Sequence, residues 1–165
     1  MNRMIIRKTL PSDFDDIAQC VFSAFQNDGE VVLVRQLRAD NDVLIELVAE
    51  ESASIVGHVV VSHLSLNPDR GLRCGGVAPL SVLPSQQSKG IGAQLMEAVI
   101  EKSRSLGLDA LFLLGDPAYY QRFGFKVTGV QSDYPAEYFQ AFELTHECLR
   151  DLQTKAQYAR AFSSL

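Results

Sequence analysis

Two glycines, Gly90 and Gly92, close the segment Gln87-Ser88-Lys89-Gly90-Ile91-Gly92. A short apolar run, Pro79-Leu80-Ser81-Val82-Leu83-Pro84, leads into it, and Ala93-Gln94-Leu95-Met96-Glu97-Ala98 leaves it as the start of an amphipathic helix. The first turn of a helix carries amide hydrogens with no partner inside the helix, together with the positive end of the macrodipole. Glycines there let an anion come close to the backbone. The chemistry suited to this pattern is the holding of a phosphate. A nucleotide-hydrolysing P-loop is excluded, because it needs Gly-Lys-Ser/Thr, whereas here Lys89 precedes Gly90 and Ile91 follows it. A dinucleotide fingerprint is excluded too. Leu95 stands where its third glycine belongs, and no strand–helix–strand repeat opens the chain. A glycine turn that merely starts a helix stays open on these six residues alone. Downstream, Tyr119-Tyr120-Gln121-Arg122-Phe123-Gly124-Phe125 sets a tyrosine and three further residues before a Gly-Phe pair.

Hydrophobic periodicity defines the elements that must position these groups. Met4 to Arg7 reads as a first strand. Ser12 is placed to cap a helix in which Phe14, Ile17, Val21, Phe22 and Phe25 recur at helical spacing. Asn27-Asp28-Gly29 breaks that helix, and Glu30 to Arg38 forms a second, with Val31, Val34 and Leu37 on one face. Leu44 to Ala49 and the β-branched run Ile55 to Leu64 read as a hairpin. Cys74 to Val82 is the strand that enters the glycine loop. Gly90 to Leu106 is the clearest helix, with the stripe Ile91, Leu95, Met96, Val99 and Ile100, and with Gly107 as its stop. Ala110 to Leu114 is a further strand, so a β-α-β unit surrounds the loop, parallel and right-handed. Pro117 opens a short helix that ends near Gly124. Phe125 to Val130 reads as another strand, Tyr138 to Leu144 as the last one, and Glu147 to the end as a helix or a packed tail. The fold class is α/β: a mixed sheet with helices on both faces, in one domain over residues 1–165.

The two motifs, in this order and at this separation, resemble those of the GCN5-related N-acetyltransferases. Gln87, Gly90 and Gly92 match the family's Gln/Arg-x-x-Gly-x-Gly/Ala loop, and Tyr120-x-x-x-Gly124-Phe125 matches its tyrosine and Gly-Phe. The likeness covers roughly Ile5 to Val130, and Leu114 to Tyr120 is similar to a bacterial branch described only as predicted N-acetyltransferases. Residues 131–165 match loosely, as a C-terminal strand and tail. Two departures stand in the loop: Ser88 where glycine or another small residue is common, and Gln86 where an aromatic is common. A third lies before the tyrosine, where Asp116-Pro117-Ala118 replaces a longer Ala-rich helix.

The resemblance implies acetyl transfer from acetyl-coenzyme A to an amine, a small molecule or a peptide, with no metal and no covalent enzyme intermediate. It implies two splayed central parallel strands. Leu80, Ser81 and Val82 would offer unpaired backbone groups to the pantetheine arm. Gln87, Ser88, Lys89, Gly90, Ile91, Gly92 and Ala93 would hold the diphosphate, and Phe123 would flank the coenzyme. Tyr120 takes the position of the family's general acid, a phenol that stays protonated at neutral pH and can serve a leaving thiolate. Tyr119 is adjacent, but the spacing to Gly-Phe selects Tyr120. Glu30 and Asp116 are candidate bases, with His58 and His63 as further ones. Each also reads structurally: Glu30 as a first-turn helix acid, Asp116 as a cap before Pro117, the histidines as sheet residues. A non-catalytic coenzyme A-binding or regulatory module on the same fold is the alternative.

Composition bounds the rest. The 165 residues are 47% hydrophobic and 21% charged, ordinary for a soluble domain with a sizeable core. A formal net charge of −5 argues against nucleic acid and against an anionic membrane as partners, and a homodimer is left open. Coenzyme phosphates must then be held by local dipoles and a few cations, of which Lys89 is the nearest in sequence. Cys20, Cys74 and Cys148 form no Cys-x-x-Cys, so neither a zinc cluster nor a disulfide framework is indicated, and a reduced cytoplasmic setting fits. The run from Met1 to Lys8 is too short in apolar length for a signal peptide, and no segment is long enough to span a membrane.

Overall fold

A computed structural model describes residues 3–165. Met1 and Asn2, part of the N-terminal run just discussed, lie outside the described residues. Strand β1 (Met4–Lys8) is followed by helices α1 (Phe14–Phe25) and α2 (Gly29–Ala39), then strands β2 (Val43–Glu51), β3 (Ser54–Asn67) and β4 (Cys74–Val82). Helix α3 (Ile91–Ser105), strand β5 (Ala110–Leu114), the short helix α4 (Pro117–Tyr120) and strands β6 (Phe139–Glu143) and β7 (Lys155–Tyr158) complete the chain. One sheet holds all seven strands in the order β1-β2-β3-β4-β5-β6, with β7 alongside β3. Among the described strands, β4 and β5 form the parallel pair. This is the mixed α/β fold expected.

The strand period of two divides the sheet's residues between two helical layers. Val59 and Val61 of β3 meet the α3 stripe Ile91, Leu95, Met96 and Val99. On the other face Val48 meets Ile17, Cys20 and Val21 of α1, and Val60 meets Leu33, Val34 and Leu37 of α2. Leu95, Met96 and Val99 are fully buried, and each such side chain contributes about 1.5–3 kcal/mol. That packing fixes α3 against the sheet, and its N-terminal turn thereby stands at the end of β4. Gly107 ends the helical run with φ +76°, as its position predicts. Ser52 and Ala53 both take positive φ and join β2 to β3 in the tight turn that suits the twist of a hairpin.

The sheet forks at its centre. β4 pairs with β5 only through Cys74, Gly75 and Gly76, whereas β3 follows β4 as far as Val82. Beyond Gly76, β5 stays with β6 and ends with Leu114 opposite Phe139. A bulge sits where the strands part: Val61 pairs Val77 and Val59 pairs Leu80, so Ala78 and Pro79 stand opposite Val60 alone. Bulges bend a strand, and proline removes an amide donor from the ladder. Sequence thus supplies the divergence at the point of need.

Three expectations are corrected. Ser12 is not the helix cap; a 3-10 turn covers Pro11–Asp13, and the carboxylate of Asp13 accepts from the Leu10 amide at 2.8 Å while Arg7 holds it. Phe125 to Val130 forms no strand, only an isolated bridge from Lys126 to Ala141. Its inward residues are Phe125 and Val130, with Val127 exposed between them, so the segment lacks the period of two. The helix that is one of the two readings for Glu147 to the end does not form; the segment packs instead, with β7 pairing Leu64–Asn67 of β3 and a 3-10 turn following at Arg160–Ser164.

Candidate active site

The fork and the N-terminal turn of α3 enclose a cleft of about 440 Å³. Gly90 stands before the helix with φ +84°, a left-handed conformation that only glycine adopts cheaply. The first amide bond running back from α3 is Gln94 N to Gly90 O at 3.0 Å, so the amides of Ile91, Gly92 and Ala93 have no acceptor within the helix. Of the residues read as coenzyme-binding, Leu80, Val82, Gln87, Ser88, Gly90, Ile91, Gly92 and Ala93 line this cleft. The Gln87 side chain donates to the Val82 carbonyl at 3.2 Å and ties the loop to the strand end. The other three stand elsewhere. Ser81 is buried on the far face opposite His58, although its backbone belongs to the open edge of β4. Lys89 turns its ammonium to the Gln86 amide oxygen at 3.3 Å, and Phe123 packs into the core beside Tyr119 and Tyr120.

Helix α4 forms the facing wall. Asp116 caps it by accepting from the Ala118 amide at 3.0 Å. Tyr120 lies flat over Gly115, where even a methyl group would come within 2.3 Å of its ring. It stacks on Tyr119 at 4.8 Å between centroids and meets Phe125 edge-on at 6.2 Å. Burial, with a smaller push from Tyr119, raises the Tyr120 phenol above the ordinary tyrosine value, so it remains a proton donor at neutral pH. Tyr119 lines the cleft, and its hydroxyl is 3.4 Å from where a Cβ on Gly92 would sit. Arg122 and Gln86 line it as well. These three cleft residues were not among those read as coenzyme-binding. The signal for Arg122 was its place three residues after Tyr119, which puts the two on one side of a helical turn.

The base candidates are scattered. Glu30 sits in the first turn of α2, half-buried, with one carboxylate oxygen enclosed and without a partner among the described residues. His63 is exposed in a separate depression beside Leu44 and Arg73. His58 is wholly buried; its Nε2 lies 2.8 Å from Glu46, and Arg38 grips the same carboxylate through two nitrogens at 3.1 and 2.5 Å. Burial lowers the His58 pKa against the pull of Glu46. For Glu46, burial works upward, but the bonds from His58 and Arg38 outweigh it and hold the carboxyl at about 2. At neutral pH the pair is carboxylate and neutral imidazole, with the Nε2 hydrogen donated to Glu46. This cluster, Glu30, His63, Asp116 and Tyr120 all stand outside the residues that line the cleft; Tyr120 is adjacent to it, stacked on the lining residue Tyr119. Among the described residues no group of three or more His, Cys, Asp or Glu could hold a metal, and no helix is long and apolar enough to cross a membrane.

Against known proteins, the acetyltransferase (GNAT) family model matches residues 12–125. The chain belongs to the GNAT acetyltransferase family. It is 29% identical over 166 residues to the uncharacterized N-acetyltransferase YhbS of Escherichia coli strain K12, covering 97% of this chain and 99% of that protein. It is also similar to the Escherichia coli uncharacterized N-acetyltransferase YjhQ, 32% identical over 130 residues, with 77% and 72% covered. Among solved structures, the E. coli GNAT family N-acetyltransferase YhbS in complex with CoA superposes with a TM-score of 0.93 at 28% identity, over 99% of this acetyltransferase and 93% of that chain. A GNAT family acetyltransferase from Brucella melitensis in complex with acetyl-CoA gives 0.84 at 34% identity, over 97% and 98%.

Proposed function

We propose that the protein transfers an acetyl group from acetyl-coenzyme A directly to an amine. The observation that carries this reading is the open row of amides at Ile91, Gly92 and Ala93 beside the unpaired edge of β4, both facing one cleft. The amides suit a diphosphate, and the strand edge suits the amide-bearing pantetheine arm, which would pair with it as a missing strand would. The relatives solved with CoA and with acetyl-CoA support the ligand. The backbone loop, Gln87 to Ala93, would bind; Leu80, Ser81 and Val82 would orient.

Tyr120 is the general acid in this reading. The amine nitrogen bonds to the acyl carbon, the carbon–sulfur bond breaks, and the Tyr120 hydroxyl gives its proton to the departing sulfur. Holding donor and acceptor together supplies much of the rate. Direct transfer also fits the thiols: burial pushes Cys20 up to about 11 and Cys74 up to about 12, so neither is a nucleophile at neutral pH. Three free cysteines suit a reducing, cytoplasmic setting. For the proton of the amine the candidates are Glu30, which stands away from the cleft walls and would act through water, and Asp116, which would have to serve while capping α4.

The test is thiol release from acetyl-coenzyme A across a panel of small amines and peptide N-termini. Release that depends on an amine, with the acetylated product recovered, is the expected result. Binding of acetyl-coenzyme A with no turnover on any amine, and no difference between the parent and Tyr120→Phe, would overturn catalysis. No uptake of coenzyme A at all would overturn the whole reading.

A further inference from the structure

The cleft wall carries one charged side chain among the described residues, and it is Arg122. Lys89, the cation nearest the loop in sequence, is turned to Gln86. The guanidinium carbon of Arg122 sits 4.3 Å from the centre of the Tyr119 ring and 5.2 Å from that of Phe123. A guanidinium resting on aromatic faces keeps its edge N–H groups available, and the ring fixes its plane. The arginines with ion-pair partners among the described residues are Arg7, Arg38, Arg104, Arg150 and Arg160; Arg122 is not one of them. Its supporting ring brings the Tyr119 hydroxyl to Gly92, beside the unpaired amides of α3. The protein as a whole is acidic, with a net charge of −5. An arginine stacked on Tyr119, outside any ion pair among the described residues and lining the same cleft as those amides, is therefore a local exception to the field of the molecule.

We infer that Arg122, braced on Tyr119, is a phosphate clamp that closes over the ligand opposite the α3 amides. The inference rests on the coenzyme reading and adds a residue to it. It assigns the positive charge of the site to the 3-10 turn Gln121–Phe123 that follows α4, in place of the loop lysine. It also makes Tyr119 a positioning residue, whose ring carries Arg122 and stacks on Tyr120. The phosphate in question is either the diphosphate or the 3′-phosphate of coenzyme A, and the experiment separates them.

Parent, Arg122→Gln and Arg122→Lys are titrated calorimetrically with coenzyme A and with dephospho-coenzyme A, at low and at physiological salt. Arg122 is exposed, so the variants are expected to fold, and thermal melts check this. Loss of a charge-assisted bond predicts that Arg122→Gln weakens coenzyme A binding by about tenfold or more, with a shallower salt dependence. Arg122→Lys keeps the charge without the planar fork and falls between. Equal loss on both ligands assigns the diphosphate; loss confined to coenzyme A assigns the 3′-phosphate; either supports the clamp. Affinities of Arg122→Gln within twofold of the parent for both ligands overturn it. A parent that takes up neither ligand overturns the coenzyme reading, and the clamp with it; a failure seen only at Arg122 overturns the clamp alone.

Discussion

Beneath α2, charged groups meet inside the chain: Arg38 and His58 converge on Glu46, which leaves the Nδ1 of His58 as the atom of this trio without a partner among the described residues. Around the fork the opposite holds, with helix amides and a strand edge facing a cleft. The first lies on β2 and β3 and the second on β4 and the start of α3, on opposite faces of the sheet. A buried carboxylate is tolerated only when its charge is answered, so the first region has its polar capacity consumed by folding. Backbone amides at a cleft can be left open because water satisfies them until a ligand arrives. Polar groups in this fold are thus divided between those that hold it together and those kept in reserve, and only the reserve is available for chemistry.

The division predicts that damage on one side spares the other. The largest effect expected at the fork is from Tyr120→Phe. Among the described residues the phenol makes no hydrogen bond that removal would break, so stability stays near that of the parent while acetyl transfer falls by about 10²–10⁴-fold. Steady-state rates beside a thermal melt check this. A large drop in melting temperature would place Tyr120 with the structural groups instead. On the far face, Glu46→Ala leaves Arg38 and His58 without their common partner. It should cost about 3–5 kcal/mol in urea unfolding, while the folded fraction binds coenzyme A as the parent does. Impaired affinity in that fraction would show that the regions are coupled through β3 and β4.

Acid sharpens the same contrast. The His58 pKa is depressed in the folded protein, so the unfolded chain binds that proton first, and stability begins to fall as pH drops through about 6.5. Glu46, held at about 2, contributes stability that is present above the ordinary carboxylate range and is lost as pH falls from there toward 2. Its share is about 2 kcal/mol after allowance for solvent screening. Asp13, which Arg7 holds at about 2 against a smaller opposing effect of burial, adds to the same limb. Urea unfolding at pH 8, 6, 5 and 4 should therefore give a falling series. In His58→Gln the portion between pH 6.5 and 5 should vanish. A flat series would mean that the far-face cluster contributes little.

How much of this was legible in the sequence follows the same physics. The α3 stripe, the β2–β3 hairpin and the strand–loop–helix–strand unit could be read because burial writes its period into consecutive residues. β7 could not: four residues, Lys155-Ala156-Gln157-Tyr158, carry too little alternation to distinguish a strand from a tail. Phe125 to Val130 misled because β-branched composition was present without the spacing that faces a sheet. In the site, the glycine loop was legible because its local backbone needs are specific, down to φ at Gly90. The inward position of Arg122 and the diversion of Lys89 depend on which way side chains turn in three dimensions. Glycine spacing says nothing about that.

The smallest effect expected is also the one that probes the reserve most directly. Ser88 holds φ +66° in the loop, a conformation that costs an L-residue roughly 1–2 kcal/mol. Ser88→Gly removes that cost but gives the unfolded chain more freedom, worth about 0.4–1 kcal/mol in the other direction. The net gain in stability should be below about 1 kcal/mol, read from paired urea curves. Coenzyme A affinity then identifies which part of Ser88 faces the ligand. If only the amide matters, affinity stays within twofold, because glycine presents the same N–H at the same φ. If the hydroxyl binds, affinity falls several-fold while stability still rises, and the loop then uses a side chain, as the α2 cluster does, where the contrast assigns it backbone alone.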